Sequence, residues 1–328
     1  MKIEDFEPFT GQHCETTAAG NLLKQIGIEL SEPMLFGLGE GLGYIFWHMK
    51  SMDFPFIGGR IKADLLTKNL CRNLNLNLVV KETTSRQKAW TNVKAEIDKG
   101  KAVGLKLDCY HLDYFTNKIH FAGHYVAIYG YDHEFAYLID TDQQGGKAKT
   151  TLNSLALARD EKGPMSSKNR SFTITGSNQS VNLQKVLRQT IRNNAISFLN
   201  PPIKNIGFKG ILKTASEIKK WYKSTSTISR DFQTMAMLME KAGTGGSLFR
   251  NLYRDFLLES AELLECKYIQ KAHSQYAIVA ELWKRVSELF YEVGNTHEVK
   301  YIDLASELLI EIAERERSIM VELHNSLG

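Results

Sequence analysis

Hydrophobic and polar positions follow different patterns in the two halves of the chain. In the first half, three apolar runs rich in aromatic or β-branched residues, 102–107, 124–131 and 135–140, predict strands. Two further segments, 14–26 and 87–98, have the periodicity of helices, and a glycine follows each of them. The first half therefore combines helices and strands.

The second half has helical periodicity almost throughout. Segments 181–199, 210–223 and 229–242 predict three helices, and 248–326 predicts two or three longer ones. The buried face of the last helix is expected to contain Leu304, Leu308, Ile312 and Ile319.

A run of polar and small residues at 175–180 separates these halves. We predict an α+β catalytic domain at 1–175 and an all-α domain at 176–328 that serves as a lid or as a docking surface for substrate or a carrier protein. The hydrophobic fraction of 43% and the charged fraction of 24% are those of a globular protein.

The net charge of +4 does not favour nucleic acid as a partner. No uninterrupted apolar run reaches the roughly 18 residues of a membrane span, and acidic residues stand where a signal peptide would carry basic ones. A cytoplasmic protein that does not bind a membrane is expected.

Cys14 stands at the predicted start of the first helix. Unpaired backbone N–H groups and the positive end of the helix dipole favour a thiolate there and can stabilise an oxyanion. A lone cysteine in this position is more often a small buried residue, so further residues are needed to support catalysis. The four cysteines, Cys14, Cys71, Cys109 and Cys266, form no CxxC pair and predict no disulfide framework.

His124 and Asp140 supply that support. They begin and end a predicted hairpin with a short polar turn, so they are expected to be cross-strand or diagonal neighbours. A hydrogen bond between them would fix the imidazole tautomer and leave the other ring nitrogen for Cys14. The alternative is that the two residues form a polar pair at the strand ends and have no catalytic role.

Two other patterns resemble binding sites. Cys109, His111, His120 and His124 suggest zinc, but the segment from 125 onward is a predicted strand, and no glutamate follows His120 as in a zinc protease helix. The glycine run at 37–43 lacks the Lys-Ser/Thr of a phosphate loop. We predict no metal and no bound cofactor; Cys109 and His111 are expected to line or support the catalytic site.

Segments 13–16, 31–39, 105–111 and 123–127 resemble the N-terminal domain of the butirosin-biosynthesis acyltransferase (BtrH-like) family. The order of cysteine, histidine and aspartate is also that of papain-like folds. The resemblance implies a papain-like α+β domain followed by a helical domain. It also implies an acyltransferase of the kind represented by the papain-like amide synthetases of thiotemplated natural-product pathways, closthioamide assembly among them.

Carried over to this chain, the resemblance makes Cys14 the nucleophile, His124 the acid and base, and Asp140 the residue that orients it. The acyl donor would be the phosphopantetheine thioester of an acyl or peptidyl carrier protein, and the acceptor a small-molecule amine. Papain-like enzymes usually place an oxyanion-hole glutamine several residues before the cysteine, whereas here Gln12 lies only two before it. Gln12 is therefore a candidate donor beside the Cys14 N–H.

Substrate-channel candidates are Phe36, Phe46, Trp47, Arg60, Cys109 and His111, with core packing as the alternative for the aromatic residues. The region 185–230 contains ten basic residues and only one acid, Glu217, which suits an acidic carrier protein as well as a solvated face. The rival functions are a cysteine peptidase or amidohydrolase with the same triad, and a non-catalytic binding protein on a degenerate protease fold.

Overall fold

The computed structural model describes residues 1–49, 52, 54–163, 165–176 and 180–327. Its eight described strands are β1 (Leu42–Trp47), β2 (Phe56–Arg60), β3 (Asn77–Lys81), β4 (Val103–Leu107), β5 (His124–Tyr131), β6 (Phe135–Ile139), β7 (Lys147–Thr151) and β8 (Ser171–Thr175). The α-helices are α1 (Cys14–Gln25), α2 (Glu32–Leu38), α3 (Leu65–Asn73), α4 (Arg86–Ile97), α5 (Leu152–Asp160), α6 (Leu183–Leu199), α7 (Gly207–Ser224), α8 (Ile228–Lys241), α9 (Arg250–Leu264), α10 (Lys267–Thr296) and α11 (Val299–Ser326). The predicted α+β class, with a mainly helical second half, is confirmed.

The chain divides into two compact units, Met1–Leu35 with Ala63–Val181 and Phe36–Lys62 with Asn182–Gly328. This division differs from the predicted contiguous halves in the segment 36–62. The backbone accounts for the difference, because β1 and β2 form a hairpin whose Ile45 is bridged to Ile206 of the second unit.

In the first unit, six strands form one antiparallel sheet in the order β3-β8-β4-β5-β6-β7. Alternate apolar residues of β4 and β5 pack with Val93 and Ile97 of α4 and Leu155 of α5 in one buried cluster. Helix α1 lies against β4, β5 and β8. Every residue of β4 is buried because the strand is central in the sheet.

The helix ends of the first unit follow the sequence signals. Gly27 has a φ of +80°, and the N–H of Ile28 donates to the Leu23 carbonyl, which closes α1 with a left-handed cap. Gly100, with a φ of +76°, closes α4 in the same way. Both helices therefore lie within one residue of their predicted bounds.

The second unit surrounds a buried ion pair. The Arg250 Nε is 2.8 Å from the Glu316 Oε1, and both side chains are fully buried. Trp283 Nε1 donates to the same carboxylate at 2.8 Å, and Arg250 Nη1 donates to the Gly59 carbonyl. A Cβ at position 59 would lie 2.2 Å from the Leu248 carbonyl oxygen, so only glycine permits this approach. Residues 58–60 belong to β2.

The predicted buried face of the last helix is wrong by one position in its first half. Leu304 is 45% exposed and Leu308 is partly exposed, whereas Ala305 and Leu309 are buried together with Ile312 and Ile319. Apolar residues occupy both adjacent helical stripes in this segment, so periodicity alone did not fix the phase. Among the described residues, no helix has the length and apolar character needed to cross a membrane.

Candidate active site

Cys14 is the first residue of α1, and its side chain is 8% exposed. The first helical hydrogen bond runs from the Thr17 N–H to the His13 carbonyl at 2.9 Å, and no side chain caps this end of the helix. The thiol therefore lies at the positive end of the helix dipole, where a thiolate or an oxyanion is stabilised.

A carboxylate holds the loop that leads into Cys14. Glu32 accepts the Gln12 N–H at 2.8 Å and the His13 N–H at 2.7 Å, and it also accepts the Thr16 hydroxyl at 2.7 Å. A Cβ at position 11 would lie 2.6 Å from this carboxylate, so a larger residue there would displace it. The contacts fix the backbone on both sides of Cys14.

The predicted His124–Asp140 hydrogen bond is present, with 2.8 Å between Nε2 and Oδ2. The register of β5 and β6 pairs Ala127 with Ile139, which makes His124 and Asp140 diagonal neighbours just beyond the ladder. Asp140 is fully buried, and its Oδ1 accepts the Thr141 N–H at 2.7 Å. The carboxylate is thereby held with one oxygen directed at the imidazole.

The Cys14 side chain also interacts with His124 and contributes to raising the pKa of the imidazole. Because Nε2 faces Asp140, Nδ1 remains for the sulfur. Burial by itself lowers the pKa of His124, but the Asp140 charge and hydrogen bond, followed by Cys14, raise that pKa well above its ordinary value. A protonated imidazole beside the sulfur favours the nucleophilic thiolate.

A pH titration tests this electrostatic arrangement. In a Cys14→Ser variant, where the thiol no longer titrates, the His124 pKa followed by NMR should lie above the ordinary value of about 6.5. Since the pKa is raised on folding, the protonated imidazole contributes stability that is complete below about pH 6.5 and is lost as the pH rises through the folded-state pKa.

Adding Asp140→Asn should lower the pKa of His124 and remove that pH dependence of the free energy of unfolding. A His124 pKa at or below 6.5 in the Cys14→Ser protein would contradict the expected effect of Asp140 on the imidazole. The exposed His133, in the β5–β6 turn, provides an internal reference in the same spectra.

The remaining candidates of the first unit lie as follows. The exposed Gln12 donates through Nε2 to Asp142 at 3.2 Å, and its oxyanion-hole role stays a prediction. The Cys109 thiol donates to the Ile119 carbonyl at 3.3 Å, and burial raises its pKa, which His124 partly offsets. The hydrogen-bond partner of His111 is Glu161, at 2.7 Å, and not a residue of the triad.

The other channel candidates belong to the second unit. Phe36 and Phe46 are buried, and Phe36 stacks on Phe249 with 5.7 Å between ring centroids. Trp47, at the end of β1, is 39% exposed, and Arg60 donates to the Ile61 carbonyl at 3.3 Å. Their proposed part in a channel stays a prediction.

A family model described as butirosin biosynthesis protein H, N-terminal, matches residues 13–141, which include Cys14, His124 and Asp140. The resemblance of these residues to the BtrH-like family is thereby confirmed. Residues 153–323, just over half of the chain, match and belong to a second family, described as Domain of unknown function (DUF4872). A search of curated proteins found no match.

Three residues of this BtrH-like site escaped the sequence analysis. The Tyr114 hydroxyl donates to Asp140 Oδ2 at 2.7 Å, and the Phe115 ring packs edge-on against His124 with centroids 5.4 Å apart. Glu32 holds the nucleophile loop from 20 positions away. Tyr114 and Phe115 lie outside the helices and strands, and Glu32 begins the short helix α2, which the sequence pattern did not predict, although Glu32 lies in a segment that carried the family resemblance.

Proposed function

We propose that this protein is a cysteine-dependent acyltransferase that forms an amide from a carrier-protein thioester and an amine in natural-product biosynthesis. One observation carries the proposal: Cys14, at the N-terminus of α1, interacts with His124, and His124 is hydrogen-bonded to the buried Asp140. Nucleophile, base and orienting group in this order are the elements of covalent acyl transfer.

The first half-reaction transfers the acyl group to the enzyme. The Cys14 thiolate attacks the thioester carbonyl, and the oxyanion that forms is stabilised at the N-terminus of α1. The bond from the carbonyl carbon to the phosphopantetheine sulfur then breaks. His124 donates its proton to that sulfur, which leaves an acyl-Cys14 and a neutral imidazole.

The second half-reaction returns the enzyme to its starting state. An amine attacks the acyl-Cys14 carbonyl while His124 Nδ1 removes its proton. The Cys14 sulfur leaves as a thiolate beside the protonated imidazole, and the product is an amide. Asp140 remains ionised and hydrogen-bonded to Nε2 throughout, which holds the ring for both proton transfers.

The match of residues 13–141 to the BtrH-like family supports this assignment, because that family implies a biosynthetic role of the acyltransferase type. The burial of the thiol, 8% exposed, supports amine rather than water as the acceptor, since a sheltered acyl-enzyme is protected from hydrolysis. The papain-like classification is supported by a helix that begins at the cysteine and lies against an antiparallel sheet that carries the histidine.

The basic region of the second unit, residues 185–230, is the reason for proposing a carrier protein as the partner. Five of its cations are exposed and make no ion pair within the described residues: Lys185, Arg188, Lys204, Lys209 and Lys223. Lys185 and Arg188 also line a cleft of about 370 Å³ near the start of α6. Uncompensated cations attract an acidic partner and increase its rate of association.

The product of the reaction tests the proposed function. With an acyl carrier protein thioester and a panel of primary amines, the wild-type protein should release mainly amide, measured by mass spectrometry. Mainly free acid with every amine would support a hydrolase with the same triad. Ordinary iodoacetamide reactivity of Cys14, without turnover of any thioester, would support a binding protein.

Charge reversal tests the docking surface separately from the chemistry. Lys185→Glu with Arg188→Glu should lower kcat/KM for the carrier-bound thioester roughly tenfold at low salt, because association slows. Activity toward a free phosphopantetheine thioester should not change. Lys300→Glu, which alters an exposed cation already paired with Glu298, is the control. Equal loss with both donors would contradict docking at this surface.

A further inference from the structure

A cluster of potential metal ligands lies outside the triad in the first unit. His111, His120 and Glu161 each offer one ligand atom, and these atoms lie within 4.8 Å of one another. The closest pair is His111 Nε2 and Glu161 Oε2, at 2.7 Å. His111 ends a short 3₁₀ turn (Cys109–His111) after β4, and Glu161 follows α5 directly, so two elements of the packed core position this pair.

The carboxylate of Asp108 orients His120. Its Nδ1 lies 3.3 Å from Asp108 Oδ2, and the Asp108 side chain is 2% exposed. The other Asp108 oxygen accepts the Tyr110 N–H at 2.8 Å and the Phe121 N–H at 3.2 Å, so the carboxylate is itself fixed. A histidine that donates from Nδ1 to a carboxylate presents the Nε2 lone pair, which is the arrangement that orients histidine ligands in metal sites.

The aromatic packing also fixes the plane of the ring. Tyr110 stacks on His120 with ring centroids 3.9 Å apart and an angle of 12°. The His111 and His120 rings are 5.9 Å apart at an angle of 70°. Tetrahedral ligands at about 2.0–2.1 Å from a zinc ion lie roughly 3.4 Å apart. Small shifts of the exposed His120, within the plane of its stack, and of the part-exposed Glu161 reach this spacing.

We propose that His111, His120 and Glu161 bind a divalent transition-metal ion of the zinc type, with Asp108 orienting His120. Two imidazoles and one carboxylate suit such an ion better than Mg²⁺ or Ca²⁺, which prefer oxygen ligands alone. Three protein ligands leave a coordination position for water or another ligand. The set differs from the zinc ligands weighed from the sequence, because His124 bonds Asp140 and the Cys109 thiol donates to a carbonyl.

The position of the site gives the ion a structural consequence. The segment from Asp108 to His120 includes Tyr114 and Phe115, which contact Asp140 and His124. A metal ion joining His111 and His120 to Glu161 would tie both ends of this segment to the end of α5. Metal binding is therefore expected to stabilise the segment that contacts Asp140 and His124, without supplying a group to the acyl transfer.

Zinc titration by calorimetry tests the site in the full-length, tag-free protein carrying Cys14→Ser, so that the triad thiol cannot act as a ligand. One Zn²⁺ per chain should bind and raise Tm, and Mg²⁺ or Ca²⁺ should not. Asp108→Asn, which keeps an oxygen for the two backbone N–H groups, should weaken zinc binding roughly 10- to 100-fold. His111→Ala and His120→Ala should weaken it further.

His133→Ala, which removes an exposed histidine of the same unit, is the matched control and should leave zinc affinity unchanged. Zinc affinity that is the same in His111→Ala, His120→Ala and the control would overturn the proposal. The Co²⁺ form distinguishes the ligand set: visible d–d bands without a thiolate charge-transfer band support nitrogen and oxygen ligands, whereas such a band would show a cysteine ligand and refute the proposed set.

Discussion

Cys14→Ser is expected to reduce acyl transfer from a carrier-protein thioester by about 10⁴-fold or more, with little change in fold. The sulfur is the atom to which the acyl group is transferred, and a serine hydroxyl beside His124 is far less ionised than a thiol. The measurement is amide formation under saturating thioester, with the free energy of unfolding determined in parallel. An unchanged unfolding curve assigns the loss to chemistry.

Cys266→Ser is the matched control, because Cys266 also stands at the N-terminus of a helix, as the N-cap of α10. It lacks a neighbouring His–Asp pair among its described contacts, so its replacement should leave the rate unchanged. If Cys266→Ser lost as much activity as Cys14→Ser, or if Cys14→Ser remained fully active, the proposed nucleophile would be wrong.

Asp140→Ala is expected to lower kcat by about 10³- to 10⁴-fold while KM for the thioester changes little. The carboxylate holds His124 through Nε2 and raises the pKa of the imidazole, and neither effect involves substrate binding. The pH profile of kcat should shift as well, because the His124 pKa falls. Asp140→Asn keeps one acceptor oxygen and should recover part of the loss.

Asp98→Ala is the matched control for that substitution. Asp98 also accepts a tyrosine hydroxyl, from Tyr131 at 2.6 Å, but it lies at the exposed end of α4. Its loss should leave kcat and the pH profile unchanged. A rise in KM without a fall in kcat for Asp140→Ala would indicate that Asp140 binds substrate instead of orienting His124.

The elements predicted best are those with strong local signals. Strands 102–107 and 124–131 and the helix that opens at Cys14 were all within one residue of their observed bounds, because glycine caps and β-branched runs mark them. The β1–β2 hairpin and the edge strand β3 were missed. Strand β3 pairs with β8, which is distant in the sequence. Strands β1 and β2 pair irregularly, with a register shift between Leu42 and Ile45 of β1.

The contacts of the site were likewise predictable where they are local in the sequence and were missed where they are distant. The His124–Asp140 bond was predictable because both residues flank one short hairpin turn. Tyr114 reaches Asp140 across 26 positions and Glu32 reaches the Gln12 N–H across 20, and no local periodicity encodes such distances. Glu161 joins His111 across 50 positions, which explains why Glu161 was absent from the zinc ligand set that the sequence suggested and that we rejected.

Intact-protein mass spectrometry after incubation with an acylated carrier protein, in the absence of amine, tests the central claim most directly. Wild-type protein should gain the mass of one acyl group, peptide mapping should place it on Cys14, and addition of an amine should remove it as amide. Cys14→Ser should gain no mass. Turnover to amide by a protein whose acyl group maps elsewhere, or by the Cys14→Ser variant, would contradict the account.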